Sequence, residues 1–169
     1  SQPLIIGSPL LNICLSLLNS GDEVILPAPY WVSYYELVKL GEGVPIVVKS
    51  SIDNDFKISP QALEKAISPK TKMIIFSSPC NPSGTVYSQN ELKELAKVLE
   101  NYPNIYVVSD EIYELINYGV KHFSIARIES IRNRVITVNG VSKGFAMTGW
   151  RVGYIAAPQW ISSACNKIQ

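Results

Sequence analysis

Short apolar runs rich in Val and Ile alternate along this chain with segments of helical period, and this alternation limits its fold most strongly. Gly, Pro, Asn and Asp separate the two kinds of segment, as in layered α/β proteins. The apolar runs contain few polar residues, which is typical of strands in a mostly parallel sheet with helices on both faces. Six strands are predicted, at residues 23–26, 44–48, 72–76, 105–109, 134–138 and 152–156.

Helices are predicted between these strands. Ser59 and Pro60 form an N-cap followed by proline at the first helical position. Ser88 and Glu91 form a capping box ahead of apolar residues at helical spacing. The predicted helices cover residues 10–18, 31–40, 59–67 and 88–99, and a last one begins at residue 158. The sequence therefore predicts an α/β fold, with three αβα layers around a mostly parallel sheet.

Both ends of the chain suggest a fragment. Residues 2–18 are predicted to begin at the edge of a helix with no strand before it, and residues 158–169 form a helix without a C-cap glycine. We expect residues 1–169 to form a single domain that is part of a larger protein.

Composition argues against several classes of partner. Fifteen basic and fourteen acidic residues leave a formal charge of +1, so neither nucleic acid nor an anionic membrane is expected to bind. No apolar run approaches the roughly 18 residues that span a bilayer. Three dispersed cysteines predict neither a disulfide framework nor a zinc site, and no metal is expected. A cytoplasmic protein with small-molecule partners is expected.

Ligands of α/β proteins bind at the carboxyl ends of strands, and two residues there have unusual chemistry. Asp110 directly follows an apolar strand, where a partly desolvated carboxylate favours a cationic partner. Its alternative role is a helix N-cap. Lys143 follows a strand and a turn, and apolar neighbours would make its amine a usable nucleophile. A solvated surface lysine is the alternative. The neighbours are Val141, Phe145 and Met147.

Four further residues fall in the same set of loops. Tyr113 would project from the same side of a helical turn as Asp110, or it is a core tyrosine. Asn81 lies in an NPSG turn that would hold its amide rigidly. Arg151 could bind a phosphate bidentately, or form a structural ion pair. Trp31 offers a flat apolar face, or is a core or interface residue.

One ligand would account for all six residues. It needs an aldehyde for the lysine, a basic ring nitrogen for the carboxylate, a phenolate oxygen for the tyrosine and amide, and a phosphate for the arginine. Pyridoxal 5′-phosphate has these groups, and proteins hold it through a lysine Schiff base with an acidic partner on the ring nitrogen.

Four stretches, in this order and spacing, resemble the class I/II aminotransferases of the aspartate aminotransferase superfamily: GDEVILPAPYWVSY, SSPCNPSGTVY, VVSDEIYE and VNGVSKGFAMTGWRVGY. The resemblance is greatest to the bacterial branch with aspartate and aspartate/prephenate aminotransferases. It implies the central part of the large domain of the fold type I pyridoxal phosphate transferases. It also implies transamination between an amino acid, with aspartate expected, and a 2-oxo acid. The parent is then expected to be a homodimer.

The resemblance also implies residue roles. Lys143 resembles the Schiff-base lysine that moves the proton between the substrate Cα and the cofactor. Asp110 resembles the residue that keeps the pyridine nitrogen protonated. Tyr113 and Asn81 resemble the pair that binds the ring's 3′ oxygen. Arg151 resembles the phosphate ligand, and Trp31 the aromatic residue that stacks on the ring.

Two positions depart from the family pattern, which suggests weaker phosphate binding. The Gly-rich phosphate turn is replaced by LIIGSPLL, in which Gly7 and Ser8 have no secure role. Gly140 stands where many relatives have Ser or Thr, and Ser142 is a candidate substitute. The family's N-terminal segment and C-terminal small domain are also absent, so the chain alone is expected to be inactive.

Three other functions are compatible with the sequence. The same fold and cofactor residues serve lyases and synthases. Tyr35 and Lys39 have the YxxxK spacing of short-chain dehydrogenases, although no Gly-rich dinucleotide fingerprint is present. A non-catalytic ligand-sensing remnant is the third alternative.

Overall fold

A seven-stranded sheet organises the chain in the computed structural model, which describes residues 4–6 and 9–168, with side chains for 9–168. The strands are β1 (Leu4–Ile6), β2 (Glu23–Pro27), β3 (Val44–Val48), β4 (Thr71–Ser77), β5 (Tyr106–Asp110), β6 (Val135–Gly140) and β7 (Val152–Ala156). The α-helices are α1 (Pro9–Leu17), α2 (Ser33–Leu40), α3 (Pro60–Ala66), α4 (Gln89–Glu100) and α5 (Gln159–Ile168).

The strand order is β1-β7-β6-β5-β4-β2-β3, and the strands from β6 to β3 are all parallel to one another. Strand β7 is antiparallel to both β6 and β1. Helices α1, α2 and α5 contribute to the core on one face, and α3 and α4 to the core on the other. The predicted three-layer αβα fold with a mostly parallel sheet is confirmed.

All six predicted strands exist, with ends that differ by two residues at most. The expectation that no strand precedes the first helix is wrong, because β1 forms an edge of the sheet. Its three residues are too few to show a period, and its partner β7 lies near the other end of the sequence.

Local sequence signals explain where the helices begin. Ser59 Oγ accepts a hydrogen bond from the amide of Ala62 at the start of α3. At the start of α4, the Ser88 amide donates to Glu91 Oε2 at 2.7 Å and the Glu91 amide donates to Ser88 Oγ at 3.3 Å. The predicted capping box is therefore formed. No helix within residues 9–168 is long and apolar enough to cross a membrane.

The register of the parallel strands brings their carboxyl ends to one edge. Ser77, the last residue of β4, pairs with Asp110, the last residue of β5. Asp110 in turn pairs with Val138 near the end of β6. The loops after these three strands therefore surround a single space, which is where α/β folds bind ligands.

Candidate functional site

A pocket of about 330 Å³ lies at this edge of the sheet. Its walls come from the loops that follow β2, β4, β5 and β6, from the starts of α1 and α2, and from the start of β7. All six residues predicted from the sequence line it: Trp31, Asn81, Asp110, Tyr113, Lys143 and Arg151. These six residues, up to 120 positions apart in sequence, therefore contribute to one cavity.

Asp110 lies at the floor of this pocket and is only 6% exposed. Its Oδ2 accepts a hydrogen bond from Tyr34 Oη at 2.6 Å, and its Oδ1 accepts one from the Ile112 amide at 3.2 Å. Burial raises the pKa of the Asp110 carboxyl, the two hydrogen bonds lower it, and the charge of Glu111 raises it. Within residues 9–168, Asp110 makes no salt bridge, so it lacks the cationic partner that was expected.

Tyr34 is the site residue that the sequence analysis missed. It belongs to α2, is fully buried, and lines the pocket. Burial and the neighbouring Asp110 charge raise the pKa of its phenol well above the usual value, so Tyr34 stays protonated and can donate. Its position three residues after Trp31 was the available signal. The tyrosines of this helix are, however, explained equally well as residues that pack in the core.

Asn81 and Tyr113 lie side by side on the pocket wall. Asn81 Nδ2 is 3.5 Å from Tyr113 Oη, the upper limit for a hydrogen bond. Tyr113 lies in a turn rather than in a regular helix, but it lines the same pocket as Asp110, as expected. An amide and a phenol are thus positioned to bind one oxygen of a ligand.

A second buried carboxylate holds the turn that carries Tyr113. Glu111 accepts hydrogen bonds from Ser109 Oγ at 3.0 Å and Ser124 Oγ at 2.7 Å, and contacts His122 Nε2 at 3.0 Å. The hydrogen bond to Glu111 raises the pKa of His122. These contacts tie the segment after β5 back to the sheet. The amino-acid sequence alone had suggested no role for Glu111 or His122.

Lys143 lies at the mouth of the pocket with its side chain exposed. The expectation that apolar neighbours enclose its amine is wrong, because Phe145 is itself 62% exposed and the loop lies on the surface. The Lys143 Nζ is 5.7 Å from the centroid of the Tyr113 ring, which is cation–π distance. The amine is therefore accessible to a ligand in the pocket.

Arg151 and Trp31 complete the walls. Arg151 immediately precedes β7 in a left-handed backbone conformation, and its Nη1 donates to the Thr148 carbonyl at 3.2 Å. Within residues 9–168 it has no acidic partner, so the alternative of a structural ion pair is not formed there. Trp31 is 40% exposed and packs edge-on against the Tyr34 ring at 5.7 Å between centroids.

Comparison with known proteins identifies the family. The family described as aminotransferase class I and II matches residues 7–169. This chain belongs to that family. A probable aspartate/prephenate aminotransferase of Rickettsia bellii is 49% identical over 160 residues, which are 94% of this chain and 40% of that protein. A Petunia hybrida protein named a bifunctional aspartate aminotransferase and glutamate/aspartate-prephenate aminotransferase is 45% identical over 95% of this chain and 34% of its own length.

Solved structures agree with this assignment. The crystal structure of the aspartate aminotransferase from Rhizobium meliloti superposes with a TM-score of 0.95 at 38% identity, covering 98% of this chain and 42% of that one. The Thermus thermophilus aspartate aminotransferase with maleate gives 0.93 at 40% identity, covering 98% and 43%. The expected aminotransferase family is confirmed, and the chain spans about two fifths of the length of such relatives.

The departures from the family pattern have different outcomes. Gly7 and Ser8 lie outside the residues that the structure describes. A Cβ on Gly140 would lie 2.8 Å from the Val152 carbonyl oxygen, so a larger residue there would require the paired backbone of β6 or β7 to shift. Ser142 lines the pocket and remains a candidate for the missing hydroxyl.

Class I and II aminotransferases depend on pyridoxal 5′-phosphate, so the expected cofactor is confirmed for the family. The polar groups that line the pocket fit this cofactor: one buried carboxylate, an amide beside a phenol, an accessible amine and a guanidinium. The dehydrogenase spacing of Tyr35 and Lys39 falls elsewhere, on α2 outside the pocket, where Lys39 Nζ is 3.4 Å from Glu36.

Proposed function

We propose that this chain is the cofactor-binding part of a pyridoxal phosphate-dependent aminotransferase in which Lys143 anchors the cofactor. One observation carries the proposal. The Asp110 carboxylate is buried at the pocket floor without a cation within residues 9–168, while Lys143 and Arg151 line the same pocket. A protonated ring nitrogen would supply the charge that a buried carboxylate requires.

Each wall residue has a task in this proposal. The Lys143 amine would hold the cofactor aldehyde as a Schiff base, with loss of water, and as a free amine would move a proton at the substrate Cα. Asp110 holds the ring nitrogen in its protonated form. Asn81 and Tyr113 donate to the ring oxygen, and their near contact of 3.5 Å supports a shared acceptor. The bound cofactor supplies the electron sink that stabilises a carbanion.

Two further residues would hold the phosphate and one ring face of the cofactor. Arg151 would bind the phosphate, which its exposed guanidinium can do while keeping its charge. Trp31 would cover one face of the ring, and its edge-on contact with Tyr34 holds the indole against the pocket. Lys at position 151 would lack the bidentate guanidinium, and Gln at position 31 would lack the flat apolar face.

The substrate assignment rests on relatives. The relatives named above are aspartate or aspartate/prephenate aminotransferases, which supports aspartate as amino donor and a 2-oxo acid as acceptor. Because the chain spans about two fifths of their length, we propose that it is the central part of the large domain of a longer, cytoplasmic, homodimeric enzyme. The 169 residues alone are then inactive, because substrate positioning and domain closure require the remainder.

Trapping the cofactor tests the anchor. The complete gene product is incubated with pyridoxal 5′-phosphate, reduced with borohydride, digested and analysed by mass spectrometry. The reduced cofactor is expected on Lys143 and to disappear in Lys143→Ala. Lys93→Ala, which removes an exposed lysine of α4 outside the pocket, serves as the matched control and should label normally. Labelling of another lysine in the unaltered protein would refute the assignment.

A product assay tests the reaction. With aspartate and 2-oxoglutarate, the complete gene product should form oxaloacetate and glutamate, and the Lys143→Ala variant should form neither. Release of ammonia without glutamate would instead identify a lyase. Binding of the cofactor without any product from a panel of amino acids would favour the ligand-sensing alternative. Transamination by the isolated 169-residue chain would contradict its proposed inactivity.

A further inference from the structure

Ser77 has a buried hydroxyl with no assigned role. The residue ends β4, is 5% exposed, and lines the pocket. Its Oγ has no hydrogen-bond partner among residues 9–168. Buried hydroxyl groups nearly always have a partner, because leaving one unpaired costs free energy. An unpaired hydroxyl beside a ligand pocket therefore requires an explanation.

The position of Ser77 connects it with Asp110. Side chains alternate along a strand, so Ser77 faces the same side of the sheet as Ile75, and Asp110 the same side as Val108. Ile75 and Val108 belong to one core cluster, which also contains Tyr34. Ser77 and Asp110 are also direct partners in the strand register. Both side chains therefore approach the Tyr34 phenol from neighbouring strands.

The Tyr34 phenol is the natural acceptor for this hydroxyl. Tyr34 Oη donates its proton to Asp110 Oδ2, which leaves the phenol oxygen free to accept. Ser77 is close enough to lower the pKa of Tyr34, although its hydroxyl lies outside hydrogen-bond geometry here. A hydrogen bond from Ser77 Oγ to Tyr34 Oη would complete a chain from Ser77 through Tyr34 to Asp110.

We propose that Ser77 is a positioning residue of the cofactor site that acts through Tyr34. Its hydroxyl donates to the phenol oxygen, and this strengthens the hydrogen bond from Tyr34 to Asp110 because linked hydrogen bonds polarise one another. The Asp110 carboxylate would then stay ionised and face the ring nitrogen of the bound cofactor. The inference rests on the proposed function, since it assigns a role toward the same cofactor.

A double-mutant cycle tests the inference in the complete gene product. The dissociation constant of pyridoxal 5′-phosphate and the pH titration of its bound absorbance are measured for the unaltered protein, Ser77→Ala, Tyr34→Phe and the double variant. Ser77→Ala should weaken binding about fivefold, the effect of one lost hydrogen bond. With Phe at position 34, the same change should have an effect of less than about 1.5-fold, because its acceptor is gone.

Two controls accompany the cycle. Ser77→Thr keeps the hydroxyl and should restore binding and the pH titration. Ser16→Ala removes a partly buried serine hydroxyl of α1 outside the pocket and should change neither. Equal effects of Ser77→Ala in both backgrounds, or no effect at all, would overturn the inference. If Tyr34→Phe does not fold, failure of Ser77→Thr to restore binding overturns it.

Failure of the inference differs from failure of the proposed function. If the unaltered protein binds no pyridoxal 5′-phosphate, or borohydride fixes it to a lysine other than Lys143, the proposed function fails. If Lys143 is labelled normally and the cycle shows no coupling between Ser77 and Tyr34, only the role of Ser77 is wrong.

Discussion

Replacing Tyr34 by Phe removes one oxygen atom from the centre of the site. The ring stays in place, so the packing of α2 against the sheet is retained. What is lost is the 2.6 Å hydrogen bond from the phenol to Asp110 Oδ2, which leaves the carboxylate with the Ile112 amide as its remaining donor within residues 9–168. The substitution therefore isolates one hydrogen bond to a buried charge.

The expected loss in unfolding free energy depends on the charge of Asp110. A hydrogen bond to a charged group contributes about 1.5–3 kcal/mol, and one between neutral groups about 0.5–1.5 kcal/mol. Burial raises the pKa of Asp110, so the carboxyl becomes neutral as the pH falls toward that raised value. The Tyr34 hydrogen bond itself lowers the pKa, so its contribution is largest at pH values above the raised pKa of Asp110 and shrinks as the pH falls through it.

Urea denaturation of the cofactor-free protein measures this difference. Tyr34→Phe should lower the unfolding free energy by about 1.5–3 kcal/mol at neutral pH, and by less at about pH 4. Tyr35→Phe is the matched control, since the neighbouring phenol is partly exposed and should change stability by less than about 0.5 kcal/mol. A loss that is equal at both pH values, or no larger than the control, would refute the reasoning.

Two further substitutions test the scaffold around the site. Gly140→Ala should destabilise the protein by about 1–3 kcal/mol in urea, because its Cβ would lie 2.8 Å from the Val152 oxygen. Gly149→Ala, which meets no atom within 4 Å, should be near neutral, and equal effects of the two would contradict the steric argument. Arg134→Met should cost at least about 3 kcal/mol, because the buried guanidinium donates to the carbonyls of Leu99, Tyr102 and Ile105. The exposed Arg132→Met is its control, and a similar loss there would show that charge rather than buried hydrogen bonding is responsible.

The strands and helices were predictable because their signals are local. An apolar run, a turn residue and a capping box each lie within a few positions, and the bounds of β3 and β7 were predicted to the residue. Strand β1 was missed because three residues show no period and the evidence for it is a pairing with β7, more than 140 positions away. Its existence depends on a tertiary contact.

The six candidate residues were predictable for a related reason. Each lies at the carboxyl end of a parallel strand or in the loop after one, and such strands place their carboxyl ends at one edge. Residue type and strand position were therefore enough to predict that Asp110, Lys143 and Arg151 line one pocket. The exposure of Lys143 was not predictable, because apolar neighbours in sequence enclose a side chain only if the fold turns them inward.

The layered fold, the edge of the sheet that carries the chemistry, and the residue types present there could be read from the amino-acid sequence, because all of these follow from short-range patterns. The group that contacts the buried Asp110 could be found only in the folded chain. Tyr34 precedes it by 76 positions, and Ser77 lies beside it through the register of β4 and β5. A hydrogen bond tolerates only a few tenths of an ångström of variation in the donor–acceptor distance, and no pattern along the chain specifies distances that closely.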